Sequence, residues 1–171
     1  DPTDVSAGLT SIVNHWLEIF NGPDGLQKLF VDITNRRGNL DGVTAELTQQ
    51  ANLSAQFELA ARLNILYPGD PGVIIALLMN HVWLEPGEAL YLPAGNIHAY
   101  LSGLGVEIMA ASDNVLRGGL TPKHVDVAEL ERVLTFAPTA VEIVKTRELA
   151  QGLVEFETPV DDFILYRADL T

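Results

Sequence analysis

The sequence contains no cysteine, few basic residues and no long hydrophobic run. Without cysteine, disulfides, thiolate metal sites and cysteine nucleophiles are excluded, so a transition metal would need histidine, carboxylate or amide ligands. The longest apolar run, residues 72–79, is far shorter than the roughly 20 residues of a membrane-spanning helix. The N-terminus lacks the basic and apolar segments of an export signal. The sequence therefore predicts a soluble protein, and the lack of cysteine suits the cytoplasm.

The charge balance excludes further partners. The chain has 10 Lys plus Arg against 23 Asp plus Glu, a formal net charge of -13. This charge predicts no binding to nucleic acid and none to anionic membranes. It also repels an anionic sugar phosphate at long range. A phosphate site would need a few cations that dominate locally, over a Debye length of about 8 to 10 Å.

Residues 1–69 have a helical pattern. The strongest signal is Ser54 as an N-cap, with apolar residues behind it at spacings of three and four and Pro68 as the stop. A loop is expected at 35–42, where the pattern is weak. Three helices are predicted: one capped by Asp4 or Ser6 and ending near Phe20, one at 26–33, and one at 54–66.

From residue 70 onward, short apolar runs separated by Gly and Pro indicate strands, so the predicted fold class is α+β. The run 72–79 fits either a buried strand or a buried helical turn, and we favour the strand. A short helix is expected at 126–133. The predicted strands are 82–84 and 89–92, paired as a hairpin, then 99–101, 106–110, 141–144, 153–156 and 163–166.

The segment that ends at His98 has the features of a metal-ligand loop. Pro93 ends a predicted strand, and Gly95 supplies a backbone conformation that a β-carbon would resist. The chain then doubles back, and His98 is expected to point inward from the next strand. A neutral imidazole on such a scaffold is a good zinc ligand. A single histidine that only hydrogen-bonds within a sheet is the alternative that local sequence leaves open.

The spacing from Gly87 through Pro93 and Gly95 to His98 is similar to the second motif of the cupin superfamily, in which that histidine binds the metal. The match departs at Ser102, where cupins generally have Asn.

A longer match is more specific. Residues 80–89, 98–101 and 107–123, the last ending in Ser-Asp-Asn-Val-Leu-Arg-Gly-Gly-Leu-Thr-Pro-Lys, resemble type I mannose-6-phosphate isomerase. Residues 67–70 and 159–163 also resemble that family. The resemblance therefore runs from about Tyr67 to near the C-terminus.

This resemblance implies both a fold and a set of site residues. The implied fold is a helical segment at 1–69, strands of an incomplete cupin-type antiparallel β jelly roll at 70–125, and the start of a C-terminal β domain at 126–171. His98 matches the zinc-ligand histidine of the family, and Arg117 matches its catalytic arginine. The positions that match residues lining the substrate pocket are Tyr100, Glu107, Asp113 and Lys123.

The implied reaction interconverts mannose-6-phosphate and fructose-6-phosphate through an enediol or enediolate. Zinc would polarise the oxygens on the first two sugar carbons, and a fixed guanidinium would stabilise the developing negative charge. Without the motif, Arg117 and Lys123 would be read as ordinary surface cations, and Glu107 and Asp113 as solvated strand or turn residues.

The resemblance also implies that ligands are missing. The other zinc ligands of the family lie upstream, in a Gln-x-His motif and a glutamate, and this chain contains no Gln-x-His. We therefore expect a middle and C-terminal piece of an isomerase, inactive alone, whose partner is the missing N-terminal part of the same enzyme. The alternative is a non-catalytic cupin-like module that binds sugar or a partner.

Overall fold

The computed structural model describes residues 5–49, 51–111, 115–138 and 140–169. These residues form six α-helices and one three-stranded antiparallel sheet, so the α+β class is confirmed. They divide into two compact units, the first within Asp1–His81 and Val115–Ala137 and the second within Val82–Asn114 and Pro138–Thr171. Every helix among the described residues is too short or too polar to cross a lipid bilayer.

The helices and strands have the following bounds. The α-helices are α1 (Val5–Phe20), α2 (Gly25–Asn35), α3 (Asp41–Gln49), α4 (Ala55–Leu66), α5 (Pro71–Ile75) and α6 (Val127–Val133). Two short 3₁₀ segments lie at Ala51–Leu53 and Ala76–Leu78. The strands are β1 (Thr146–Ala150), β2 (Leu153–Phe156) and β3 (Leu165–Ala168).

Side-chain caps fix the start of α4, α5 and α6. The hydroxyl of Ser54 accepts from the backbone N–H of Phe57, 3.4 Å away, at the start of α4. Asp126 caps α6 in the same way through the N–H of Glu129, 3.0 Å away. These bonds satisfy N–H groups that have no partner within the helix. The predicted helices at 26–33, 54–66 and 126–133 are confirmed.

The first unit has a well-buried core. Leu59, Leu63 and Val73 form its centre, with Leu120 packed against them. Phe30 on α2 contacts Phe136 with ring centroids 5.4 Å apart. The other buried hydrophobic residues of this unit come from α2 to α6 and the α2–α3 loop, and include Ile33, Leu40, Ile74, Ile75 and Leu130.

The second unit contains the sheet, in the order β1-β2-β3 with antiparallel pairing throughout. Outside the sheet, Leu90 pairs with Ile143 in an isolated antiparallel bridge. Among the described residues of this unit, Phe156 is the buried hydrophobic one, whereas Trp83, Leu104 and Val106 are 85%, 103% and 90% exposed. The apolar residues of this unit thus lie mostly at its surface.

The strand favoured at 72–79 is wrong, because this run is helical. Asp70 caps α5 through the N–H of Gly72, 2.8 Å away, and Pro71 occupies the first helical turn, where its missing N–H costs nothing. All of α5 is buried. A continuous apolar run suits any buried element, and the preceding cap decides which one forms.

Several predicted strands are also wrong. Among the described residues, the ranges 82–84, 89–92, 99–101, 106–110 and 141–144 contain the isolated bridge between Leu90 and Ile143 but no regular strand. A strand needs a partner for its backbone hydrogen bonds, and alternation in sequence does not supply one. The strand at 153–156 is confirmed, the one at 163–166 lies two residues later as β3, and α3 and β1 were not predicted.

Candidate functional site

The loop before His98 places a backbone carbonyl against its ring. The N–H of Asn96 donates to the carbonyl of Pro93 over 3.2 Å, and Gly95 has a φ of 80°. The Nδ1 of His98 lies 3.0 Å from the carbonyl oxygen of Asn96. A carbonyl only accepts, so Nδ1 is the donor in this contact, and the lone pair of a neutral ring would lie on Nε2. In histidines that ligate metals, the ring nitrogen that does not bind the metal typically makes a hydrogen bond of this kind.

The expected inward orientation of His98 is not observed. Its side chain is exposed, and no strand forms around it within the described residues. The prediction depended on a flanking sheet, and that sheet is absent here for the same reason as the strands above.

Tyr100 lies beside His98 in the second unit, and Glu107 interacts with Tyr100. The rings of His98 and Tyr100 meet edge to face, with centroids 6.0 Å apart. The Tyr100 hydroxyl donates to the Glu107 carboxylate. Partial desolvation, then the charge and hydrogen bond of Glu107, raises the pKa of Tyr100 above its ordinary value. Tyr100 therefore stays neutral at physiological pH and remains a hydrogen-bond donor.

Arg117 and Lys123 lie in the first unit, on a loop that leads into α6. Both side chains are exposed. The loop turns sharply between them, with φ values of 138° at Gly119 and 52° at Leu120. The N–H of Lys123 donates to the hydroxyl of Thr121 over 3.2 Å. Asp113, the remaining predicted pocket residue, lies outside the described residues.

Sequence reasoning missed two residues that hold this loop. Asp70 accepts a hydrogen bond from the N–H of Leu120, and Arg37 donates to the carbonyl of Thr121. Arg37 also pairs with Asp70, 33 positions further along the chain. The Asp-Pro sequence at 70–71 signals a helix cap, but no local signal connects Arg37 with a segment so distant.

The described residues do not assemble a metal site on their own. No group of three or more His, Asp or Glu side chains in this part of the chain is arranged to hold a metal ion. A catalytic zinc normally has three protein ligands, so His98 alone does not suffice. Two other histidines have structural partners, since His81 contacts the carbonyl of Ala76 at 3.3 Å and His15 lies 3.6 Å from Asp32.

Known proteins resemble this chain in sequence over most of its length. It is 38% identical over 168 residues to the mannose-6-phosphate isomerase of Salmonella typhimurium, and the alignment covers 96% of this chain and 43% of that protein. It is 47% identical over 123 residues to mannose-6-phosphate isomerase 2 of Arabidopsis thaliana, and this alignment covers 72% of this chain and 28% of that protein. No protein-family model matches the sequence.

Comparison of the fold with solved structures also points to mannose-6-phosphate isomerase. The crystal structure of the Salmonella typhimurium enzyme bound to substrate and a zinc atom matches with a TM-score of 0.82 and 35% identity. The match covers 96% of this chain and 43% of that structure. This chain therefore spans less than half the length of the bacterial relatives that it matches.

Proposed function

The chain belongs to the mannose-6-phosphate isomerase family, and we propose that it forms part of an enzyme that interconverts mannose-6-phosphate and fructose-6-phosphate. The observation that carries this proposal is the contact between Nδ1 of His98 and the carbonyl of Asn96, which leaves Nε2 as the ring nitrogen that would bind a metal. The same position matches the zinc-ligand histidine of the family. A relative has been crystallised with both substrate and zinc bound.

Arg117 is the proposed catalytic residue. Isomerisation moves a proton between the first two sugar carbons and builds negative charge on their oxygens, which a fixed guanidinium stabilises. Lys123 is a compact point charge suited to a phosphate or sugar oxygen. A local cation matters here because the formal net charge of -13 repels the substrate.

The residues beside His98 are proposed to orient the sugar. Tyr100 is a neutral donor at physiological pH, and Glu107 fixes the direction of its hydroxyl. Glu107 keeps lone pairs free to accept from a sugar hydroxyl. We assign Asp113 to the same pocket, on its match to the family motif.

We propose that the working enzyme is zinc-dependent and that this chain contributes one ligand, His98. The described residues lack a complete ligand set. The remaining ligands would come from an N-terminal part of the enzyme, such as the longer relatives contain. That N-terminal part is thus the proposed partner. It would also supply strands to complete a cupin jelly roll at 70–125, before a C-terminal β domain at 126–171. The proposed location is the cytoplasm.

Conversion of mannose-6-phosphate to fructose-6-phosphate tests the proposal. The assay compares the full-length gene product with this chain alone, each with added zinc. We expect turnover in the first and none in the second. Arg117→Ala should lower kcat by at least about 100-fold, the scale of losing one transition-state donor. Arg62→Ala, at an exposed arginine of α4, is the matched control and should leave kcat unchanged.

Measurement of zinc binding tests the proposed role of His98 as a zinc ligand. His98→Ala should abolish stoichiometric zinc binding by the gene product, whereas His124→Ala, at another exposed histidine, should not. Turnover by this chain alone would overturn the assignment of ligands to a missing part. A gene product that binds sugar phosphate without converting it would favour the non-catalytic binding module instead.

A further inference from the structure

The buried carboxylate of Asp70 joins two segments that lie 50 positions apart in sequence. Its Oδ1 accepts from the N–H of Gly72 at 2.8 Å and from the N–H of Leu120 at 2.9 Å. The side chain is only 6% exposed. Hydrogen bonds to a buried charged group are among the strongest in proteins. Asp70 therefore does more than cap α5, since it also fixes the loop that follows Arg117.

Arg37 completes the attachment from the end of α2. Its Nη2 lies 2.7 Å from Oδ2 of Asp70, and the same nitrogen donates to the carbonyl of Thr121. The N–H of Leu120 and the carbonyl of Thr121 are thus held by the two members of a single ion pair. We call Arg37 and Asp70 the loop clamp.

The clamped loop has a backbone that rarely forms by itself. Leu120 has a φ of 52°, in the left-handed region that residues with a side chain seldom adopt. A β-carbon on Gly119 would lie 3.0 Å from the Cα of Gly72 and 3.2 Å from Oδ1 of Asp70. The loop therefore runs directly against the start of α5. Its conformation needs outside contacts, and the loop clamp supplies the polar ones.

We propose that Arg37 and Asp70 are positioning residues, which keep Arg117 in place by holding the loop that begins two residues after it. The inference rests on the proposed catalytic role of Arg117. Neither clamp residue is assigned a contact with substrate. A misplacement of about 1 Å in a catalytic group can cost on the order of 100-fold in rate. A loose loop would thus slow the reaction while leaving most substrate contacts intact.

Arg37→Met in the full-length gene product is the first test, with Arg36→Met as its matched control. Arg36 is the adjacent residue and also pairs with an aspartate, at 2.7 Å, but its partner is Asp32, four positions earlier in α2. We expect Arg37→Met to lower kcat about 10- to 100-fold while KM changes less than about threefold, because Arg117 acts in the transition state. Arg36→Met should leave kcat unchanged.

Amide hydrogen exchange gives a readout that is independent of activity. In Arg37→Met the amide of Leu120 should exchange about tenfold faster or more, relative to the helices of the first unit. In Arg36→Met the ratio should stay at its wild-type value. A clamp with only a structural role would instead speed exchange evenly across the unit and leave kcat per folded molecule unchanged, which would overturn the inference.

Two further variants distinguish a loss of positioning from a loss of folding. Arg37→Met leaves Asp70 as a buried charge without its partner, which is strongly destabilising. The double variant Arg37→Met with Asp70→Asn removes both charges and keeps an oxygen that accepts from Gly72 and Leu120. It should fold and still show the lower kcat. Arg37→Lys keeps the charge beside Asp70 and should restore part of the lost kcat.

The outcomes separate this inference from the proposed function. If Arg117→Ala abolishes turnover but the clamp variants keep wild-type kcat, Arg37 and Asp70 are not positioning residues. Unchanged exchange at Leu120 overturns the inference as well. If the gene product has no isomerase activity, the proposed function fails and the positioning role falls with it. Faster exchange at Leu120 would then show only that the clamp holds the loop.

Discussion

The two units of this chain bury their apolar residues to very different extents. Among the described residues, every buried hydrophobic side chain except Phe156 lies in the first, helical unit. The second unit has large apolar side chains at its surface, among them Trp83, Leu104 and Val106. Both units are nevertheless rich in apolar sequence.

The difference follows from how helices and strands satisfy their backbones. A helix forms its hydrogen bonds within one segment, so short helices need only a neighbour to cover an apolar face. A strand needs a second strand for its hydrogen bonds before any face can be buried. The first unit supplies its own neighbours, whereas in the second only β1, β2 and β3 find regular partners among the described residues. An apolar sequence therefore yields a core only where its partners are present.

Matched leucine substitutions would test this comparison most strongly. Leu40 in the first unit is 0% exposed, and Leu104 in the second is 103% exposed. Leu40→Ala should lower the free energy of unfolding by about 2 to 5 kcal/mol, because it removes buried methyl groups and leaves a cavity. Leu104→Ala should change it by less than about 0.5 kcal/mol. Denaturant unfolding followed by circular dichroism measures both.

A large cost for Leu104→Ala would break the comparison. It would mean that this side chain is covered in solution by another copy or another polypeptide. Repeating the measurement at several protein concentrations identifies self-association, because only then does the midpoint of unfolding depend on concentration.

The contrast also explains how much of the fold could be predicted from sequence. The helix behind Ser54 was predicted because its cap, its apolar spacing and its stop are all local signals. The strands expected at 99–101 and 106–110 were wrong because pairing is not local. The strand favoured at 72–79 was wrong because a continuous apolar run does not distinguish a buried strand from a buried helix, and the cap at Asp70 favours the helix.

The candidate site was predictable in the same uneven way. Identifying His98 and Arg117 depended on a motif that is continuous in sequence. The carbonyl of Asn96 that orients His98 is two residues away, so an ordinary turn analysis could have found it. The pairing of Arg37 with Asp70 spans 33 positions and requires the fold. Asp113 stays a prediction, since it lies outside the described residues.

Helix capping is a second, smaller way to sharpen the comparison. Ser54→Ala removes the hydroxyl that accepts from the N–H of Phe57 and should cost about 0.5 to 1 kcal/mol of unfolding free energy. Ser102→Ala, in an exposed bend of the second unit, is the matched change and should be neutral. Ser54→Asp should retain most of the stability, because aspartate caps equally well. A neutral result for Ser54→Ala would mean that packing alone fixes this end of α4.

The smallest expected effects concern pH, where the two units respond at opposite ends of the scale. Desolvation raises the pKa of Asp32, but hydrogen bonds from Arg36 and Trp16 outweigh it and hold that pKa below its ordinary value. The stabilising contribution of this carboxylate is therefore complete above its unfolded pKa of about 3.9 and is lost as the pH falls below that value. Asp32→Asn should flatten the acid limb of the stability curve by at most about 1 kcal/mol.

Tyr100 in the second unit shows the opposite sign. Its raised pKa means that the folded state favours the neutral phenol, so its contribution is complete below about pH 10 and is lost as the pH rises further. Glu107→Gln should lower this pKa only partly towards the ordinary value, because desolvation remains as the first cause. The absorbance of the phenolate, taken as the difference from Tyr100→Phe, follows the titration. An unchanged pKa in Glu107→Gln would show that the two side chains do not interact in solution, and Glu107 would then not orient the Tyr100 hydroxyl.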